Sequence, residues 1–141
     1  MSATQLAVLA RTVEPQRMLR RFLALDAAVT GANALAYLVL SGPLGRFLGA
    51  DAGLLLGLGG FLAVYAAGVG LVAARPHPPT LGVRVVVEAN LAWTAVSFAA
   101  LALWLDPTAA GAVWTVLQAL AVAGFALLQH TALKARQLSQ D

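Results

Sequence analysis

The polar residues of this chain fall at helical spacing inside apolar runs. Asp26, Thr30, Asn33, Tyr37 and Ser41 lie four or three positions apart, so a helix would carry them on one face. Asn90, Trp93, Thr94 and Ser97 repeat the device, and Trp114, Gln118, Ala121, Phe125 and Gln129 form a third stripe. Amides, hydroxyls and aromatic rings among Leu, Val and Ala suit the capture of a molecule with one polar end and an apolar tail. Six of these residues, Asn33, Tyr37, Asn90, Trp93, Trp114 and Gln118, are the candidate ligand-binding set. The alternative for Asn33 and Asn90 is interhelical hydrogen bonding. For Trp93, Trp104 and Trp114 it is a place in an interfacial belt or in the core, with Trp104 and Trp114 nearer the outer interface and Trp93 deeper.

Two carboxylates are candidates for charge or proton coupling. Glu88 stands several residues inside an apolar run, nearly opposite Asn90 and on the strip of Ala92, Ala95, Ala99 and Ala102, which would face a packed neighbour or a second subunit. Its bland alternative is an ion pair with Arg84 one turn earlier. Asp26 has the corresponding alternative of pairing with Arg20 and Arg21.

Several chemistries lack their residues. With no cysteine there is no disulfide, thiolate-bound metal or thiol nucleophile. His77 and His130 are the only histidines and do not make a bis-His haem site. HExxH, GxSxG and a phosphate-binding glycine loop are absent, and Gly57 to Gly60 read as helix packing. The expectation is a protein that is not an enzyme, with no metal and no cofactor.

What must position these residues is a membrane bundle. Of 141 residues 60% are hydrophobic and 11% charged, with a mean hydropathy of +0.82, against roughly a quarter charged in soluble domains. The longest runs without Lys, Arg or Glu predict spans at 22–40, 52–74, 85–105 and 109–133, each near the ~20 residues that cross a bilayer. The fold class is therefore all-α, a polytopic four-transmembrane-helix bundle, with a lead-in at 1–21 and a tail at 134–141. Arg11, Arg17, Arg20, Arg21, Arg75, Arg84, Lys134 and Arg136 fall on one side and Arg46 alone on the other, which places both termini in the cytoplasm. The localisation predicted is multi-pass in the bacterial inner (cytoplasmic) membrane. The net charge of +3 and pI near 10.2 come from this juxtamembrane clustering and indicate anionic lipid headgroups, not nucleic acid.

The first 21 residues lack the basic start of a signal peptide. Pro15 suits the first turn of a helix capped by Thr12 or Glu14. Asp106-Pro107 predicts a cap and first turn for span four, and Asp51 a cap for span two. Gly31-Ala32-Asn33 precedes Glu88-Ala89-Asn90 by 57 residues, and Leu62-Ala63-Val64 precedes Leu120-Ala121-Val122 by 58. The chain thus reads as two copies of a helical hairpin, with Asn33 and Asn90 equivalent.

ALDAAVTGANALAYL in span one, VVEANLAW in span three and DPTAAGAVWTVLQALAVAGFALLQ in span four resemble small four-span membrane proteins of high-GC bacteria. The resemblance covers most of residues 20–136 and implies a membrane architecture without lending a mechanism. Two functional classes follow. One is a binder or carrier of an amphipathic or lipid-like small molecule, with Glu88 or Asp26 tuning charge. The other is a structural or accessory subunit whose small-residue strips dock on a partner membrane protein or a second copy of the chain. Membrane lipids are partners in both.

Overall fold

A computed structural model describes residues 2–140, without the side chains of residues 6–13. Arg11 and Thr12 therefore lie outside the described side chains. The elements are α1 (Ala3–Val39), α2 (Ser41–Leu48), α3 (Ala52–Ala74), α4 (Thr80–Leu103) and α5 (Ala109–Gln140). Four of these helices are long and apolar enough to cross a membrane.

Helix α1 starts well before the predicted cap. Ser2 and Gln5 form a capping box, with Gln5 N donating to Ser2 Oγ at 3.2 Å and Ser2 N donating to Gln5 Oε1 at 2.9 Å. The helix then runs through Pro15, so Glu14 is not a cap and Pro15 is not in the first turn. A proline removes one backbone donor, and the Gln, Arg, Met and Leu residues that follow it favour helix strongly enough to carry the turn. The lead-in and span one are one helix.

At the far end the chain turns through α2, which the hydropathy of the sequence does not separate from its surroundings. Gly49 ends it in the left-handed conformation at φ 70°. The last carbonyls of α2 are taken up by the α4–α5 connection, where Thr108 N donates to Leu48 O at 3.2 Å and the Thr108 hydroxyl to Phe47 O at 2.7 Å. Thr108 also receives Gly111 N at 3.1 Å, which makes it the cap of α5. The predicted start at Asp106-Pro107 is displaced accordingly, with Asp106 exposed and Pro107 outside the helix. Asp51 does cap α3, receiving Leu54 N at 3.2 Å, and α3 has the predicted limits. Helix α4 begins at Thr80 instead of 85, and α5 continues beyond 133 to Gln140, so the expected tail is helical.

Helix α1 packs mainly on α3 and α4 on α5, while α1 and α5 join the two hairpins; α3 and α4 barely touch. Small residues set the α1–α3 approach. A Cβ on Gly59 would lie 2.9 Å from Leu38 Cγ and 3.1 Å from Tyr37 Cβ, and Gly31 and Gly70 face Ala66 and Ala27. One apolar core, with Leu19, Leu23, Val69, Val83 and Leu133, fills the end that holds the termini, and a second forms around Ala34, Tyr37, Leu55 and Leu62. Leu35, Val64, Leu71, Leu91 and Leu127 point outward, as a lipid-facing surface requires.

Candidate functional site

Between the two apolar cores all four spanning helices contribute polar side chains to a single cluster. Asp26 of α1 is 1% exposed, Asn90 of α4 3% and Gln129 of α5 0%. Asn90 Nδ2 donates to Asp26 Oδ2 at 2.9 Å and to Gln129 Oε1 at 3.1 Å, and Gln129 Nε2 donates to Asp26 Oδ2 at 2.8 Å. The Thr30 hydroxyl donates to Asp26 Oδ1 at 3.0 Å. From α3 the Tyr65 hydroxyl reaches Asn90 Oδ1 at 2.9 Å and Val86 O at 3.2 Å. A carboxylate only accepts, so both amide nitrogens must face Asp26, and the ring of bonds closes with each group in its proper role. Such a cluster ties all four spans together and excludes solvent from Asp26.

A second tier lies farther along the bundle. Trp93 Nε1 donates to Gln118 Oε1 at 2.7 Å, and Gln118 Nε2 donates to Ser97 Oγ at 3.1 Å and Thr115 O at 3.0 Å. Trp114 Nε1 donates to the Tyr37 hydroxyl oxygen at 2.8 Å. These bonds pin both indoles by their polar edges and leave their faces for packing.

The sparse contact of α3 with α4 leaves a cavity of about 310 Å³ next to both tiers. Its polar lining includes Asn33, Tyr37, Tyr65, Asn90, Trp93 and Gln118, and its apolar walls include Phe61, Leu62, Val96 and Val122. The volume is at the lower end of the ~300–1,000 Å³ of ligand pockets. Phe61, 57% exposed, stands at the α3–α4 seam and stacks on Trp93 across it, with ring centroids 6.1 Å apart and planes 6° apart. Tyr65 also stacks on Phe61, with ring centroids 6.3 Å apart.

Of the polar side chains lining this cavity, Asn33 alone makes no hydrogen bond among the described residues. Every other one is committed inside the bundle. Asn33 therefore presents an amide donor and acceptor to whatever fills the space. Tyr37, one turn further along α1, accepts from Trp114 and keeps its own hydroxyl proton for donation.

The structure brings five of the six candidate ligand residues, Asn33, Tyr37, Asn90, Trp93 and Gln118, to this cavity. Trp114 lies behind it, against Tyr37, and lines neighbouring hollows instead. Ala121 of the third stripe is exposed. Asp26 makes its bonds to amides and Thr30; Arg20 turns away to donate to Ala73 O at 3.1 Å. Glu88 is exposed on the outer face of α4, the side opposite Asn90 that helical phase predicts, and makes no hydrogen bond with Arg84 among the described residues. Phe61 and Tyr65 join the site although neither was among the candidates. Tyr65 stands out in the sequence as the lone hydroxyl of span two in a Gly/Ala background, whereas nothing in the pattern distinguishes Phe61 from a lipid-facing residue. No group of three or more His or carboxylate side chains able to hold a metal occurs among the described residues. Comparison with known protein families, with curated proteins and with solved structures gives no match for this chain.

Proposed function

We propose that the protein binds, and by its open seam exchanges with the bilayer, an amphipathic or lipid-like small molecule, acting as a carrier and not as an enzyme. The polar end sits on the Asn33 amide and the Tyr37 hydroxyl, and the apolar part passes Phe61, Val96 and Val122 toward the lipid. The observation that carries this reading is the uncommitted Asn33 amide in a cavity whose other polar groups are satisfied. An amide left in hydrocarbon without a partner costs on the order of 1–3 kcal/mol, which a ligand's polar end would offset. The cation bias supports cytoplasmic termini, in keeping with a place in a bacterial inner membrane. Under the duplication reading Asn33 and Asn90 are counterparts, one free and one committed to the fold.

Native mass spectrometry of the protein extracted gently from its own membrane tests the proposal. A reproducible small-molecule adduct that Asn33→Ala loses, with the fold intact, is the expected result. Adduct retention equal to wild type in Asn33→Ala would refute the assignment of the polar end.

One observation favours a second reading. Glu88 is an exposed carboxylate on the membrane-facing side of α4, beside exposed Ala92 and Ala95, where a partner helix or a second copy would shield it. Ala95→Trp should then release that partner, and an unchanged assembly mass would remove the accessory-subunit reading.

A further inference from the structure

A second cavity, of about 520 Å³, lies at the end of the bundle that holds both termini. Its lining includes Arg17, Arg20 and Arg21 of α1, His77 of the α3–α4 connection, and Arg136 of α5, with no acidic side chain among the described residues. Arg17, Arg20, Arg21 and Ala24 recur at three- and four-residue spacing and so share one face of α1.

Arg136 sets this cavity apart from a solvated basic patch. Its side chain is 1% exposed. Nη1 donates to Gln16 Oε1 at 2.9 Å and Pro78 O at 2.7 Å, and Nη2 donates to Thr80 Oγ1 at 3.2 Å. All three acceptors are neutral, and the buried Nε has no partner among the described residues. A buried guanidinium is ordinarily matched by a carboxylate or phosphate, because neutral acceptors satisfy its N–H groups without compensating its charge. Beside it, Arg20 is held by a single bond from Nε to Ala73 O at 3.1 Å, while Arg17 and Arg21 make no hydrogen bond among the described residues. Their free guanidinium forks can each take two oxygens of a tetrahedral anion.

We propose that this cavity is a binding site for a phosphate group, with Arg136 as its fixed buried charge and Arg17, Arg20 and Arg21 as the groups that close on the anion. Arg20 and Arg21 stand just before the predicted hydrocarbon segment of span one, which puts the site at headgroup depth. The phosphate can thus come from an anionic lipid or from a soluble phosphate compound, and the same side chains would hold either.

The test uses the full-length purified protein and does not depend on the intramembrane cavity. Wild type, the double variant Arg17→Gln/Arg21→Gln, and Arg84→Gln are compared; the double variant breaks no hydrogen bond among the described residues, and Arg84 is an exposed cation near the same end that does not line the cavity. Retention is measured by native mass spectrometry from micelles doped with phosphatidic acid or with phosphatidylcholine, each with and without inorganic phosphate. Wild type and Arg84→Gln should retain a phosphate-bearing ligand, and the double variant should lose at least about tenfold in affinity, as two cations near a headgroup imply. Retention of phosphatidic acid unaffected by inorganic phosphate assigns the site to lipid; displacement by, or binding of, inorganic phosphate assigns it to soluble phosphates. Equal retention by the double variant, an equal loss in Arg84→Gln, retention of phosphatidylcholine as strong as phosphatidic acid, or no retention of any phosphate would overturn the proposal. Arg136→Lys adds a second check, since it keeps the charge but not the fork, and phosphate affinity should fall while the helical circular dichroism signal stays.

Discussion

Asn33 and Asn90 are the same residue type and both line the intramembrane cavity, yet replacing them should have opposite consequences. Asn90 donates two hydrogen bonds, to Asp26 and Gln129, and accepts one from Tyr65. Interhelical hydrogen bonds within membranes average ~0.6 kcal/mol, so Asn90→Ala forfeits about 2 kcal/mol from the bonds alone. The substitution also strands the Gln129 carbonyl oxygen, whose only hydrogen bond comes from Asn90, raising the expected loss to about 3 kcal/mol. Tyr65 keeps Val86 O and Asp26 keeps Thr30 and Gln129, so the loss should stop short of unfolding the bundle. Asn33→Ala removes no hydrogen bond within the described residues and relieves an unpaired amide, so in the ligand-free protein stability should equal wild type or exceed it by up to about 1–3 kcal/mol. The assay is unfolding by SDS titration in mixed micelles, followed by circular dichroism, with the purified protein in each case. A loss below about 0.5 kcal/mol for Asn90→Ala, or equal losses for the two variants, would refute the claim that the buried cluster holds the four spans together.

Other substitutions probe separate parts of the structure. A Cβ at Gly111 would run into the Leu48 carbonyl oxygen, whereas one at Gly124 meets nothing within 4 Å; Gly111→Ala should therefore cost about 1–3 kcal/mol and Gly124→Ala nothing, as melting in detergent would report. Thr108→Ala loses both the cap of α5 and the bond to Phe47 O, and a loss of about 1 kcal/mol or more is expected in the same measurement. Gln118→Leu strips Trp93 Nε1 of its acceptor; the tryptophan emission should change and stability should fall by about 1 kcal/mol, and an unaltered spectrum would count against that bond. Glu88→Gln touches no protein partner and should leave the melting temperature of the isolated protein unchanged.

The architecture was legible because its determinants are local in the chain. Residues 52–74 are apolar from end to end and Asp51 precedes them, so the limits of α3 and its cap follow from hydropathy and one side chain. Pro15 and Asp106-Pro107 misled for a related reason. Each carries a local signal for a helix start, but Ser2 offers a full capping box upstream of the first, and Thr108, docked on the carbonyls of α2, captures the start of α5 from the second. Helix α2 went unseen because it depends on that docking.

The sequence by itself determined that this is an all-helical chain with four helices able to cross a membrane, since span length and apolar content are properties of consecutive residues. It also marked the polar stripes, because helical periodicity fixes which residues share a face. Only the tertiary structure decided what those stripes do. Asp26 meets its partners 64 and 103 residues away, at Asn90 and Gln129, and not the arginines one turn before it. Helix rotation and pairing choose among such distant partners: the near absence of α3–α4 contact leaves the cavity open, with Asn33 free in its wall while Asn90 is taken into the fold.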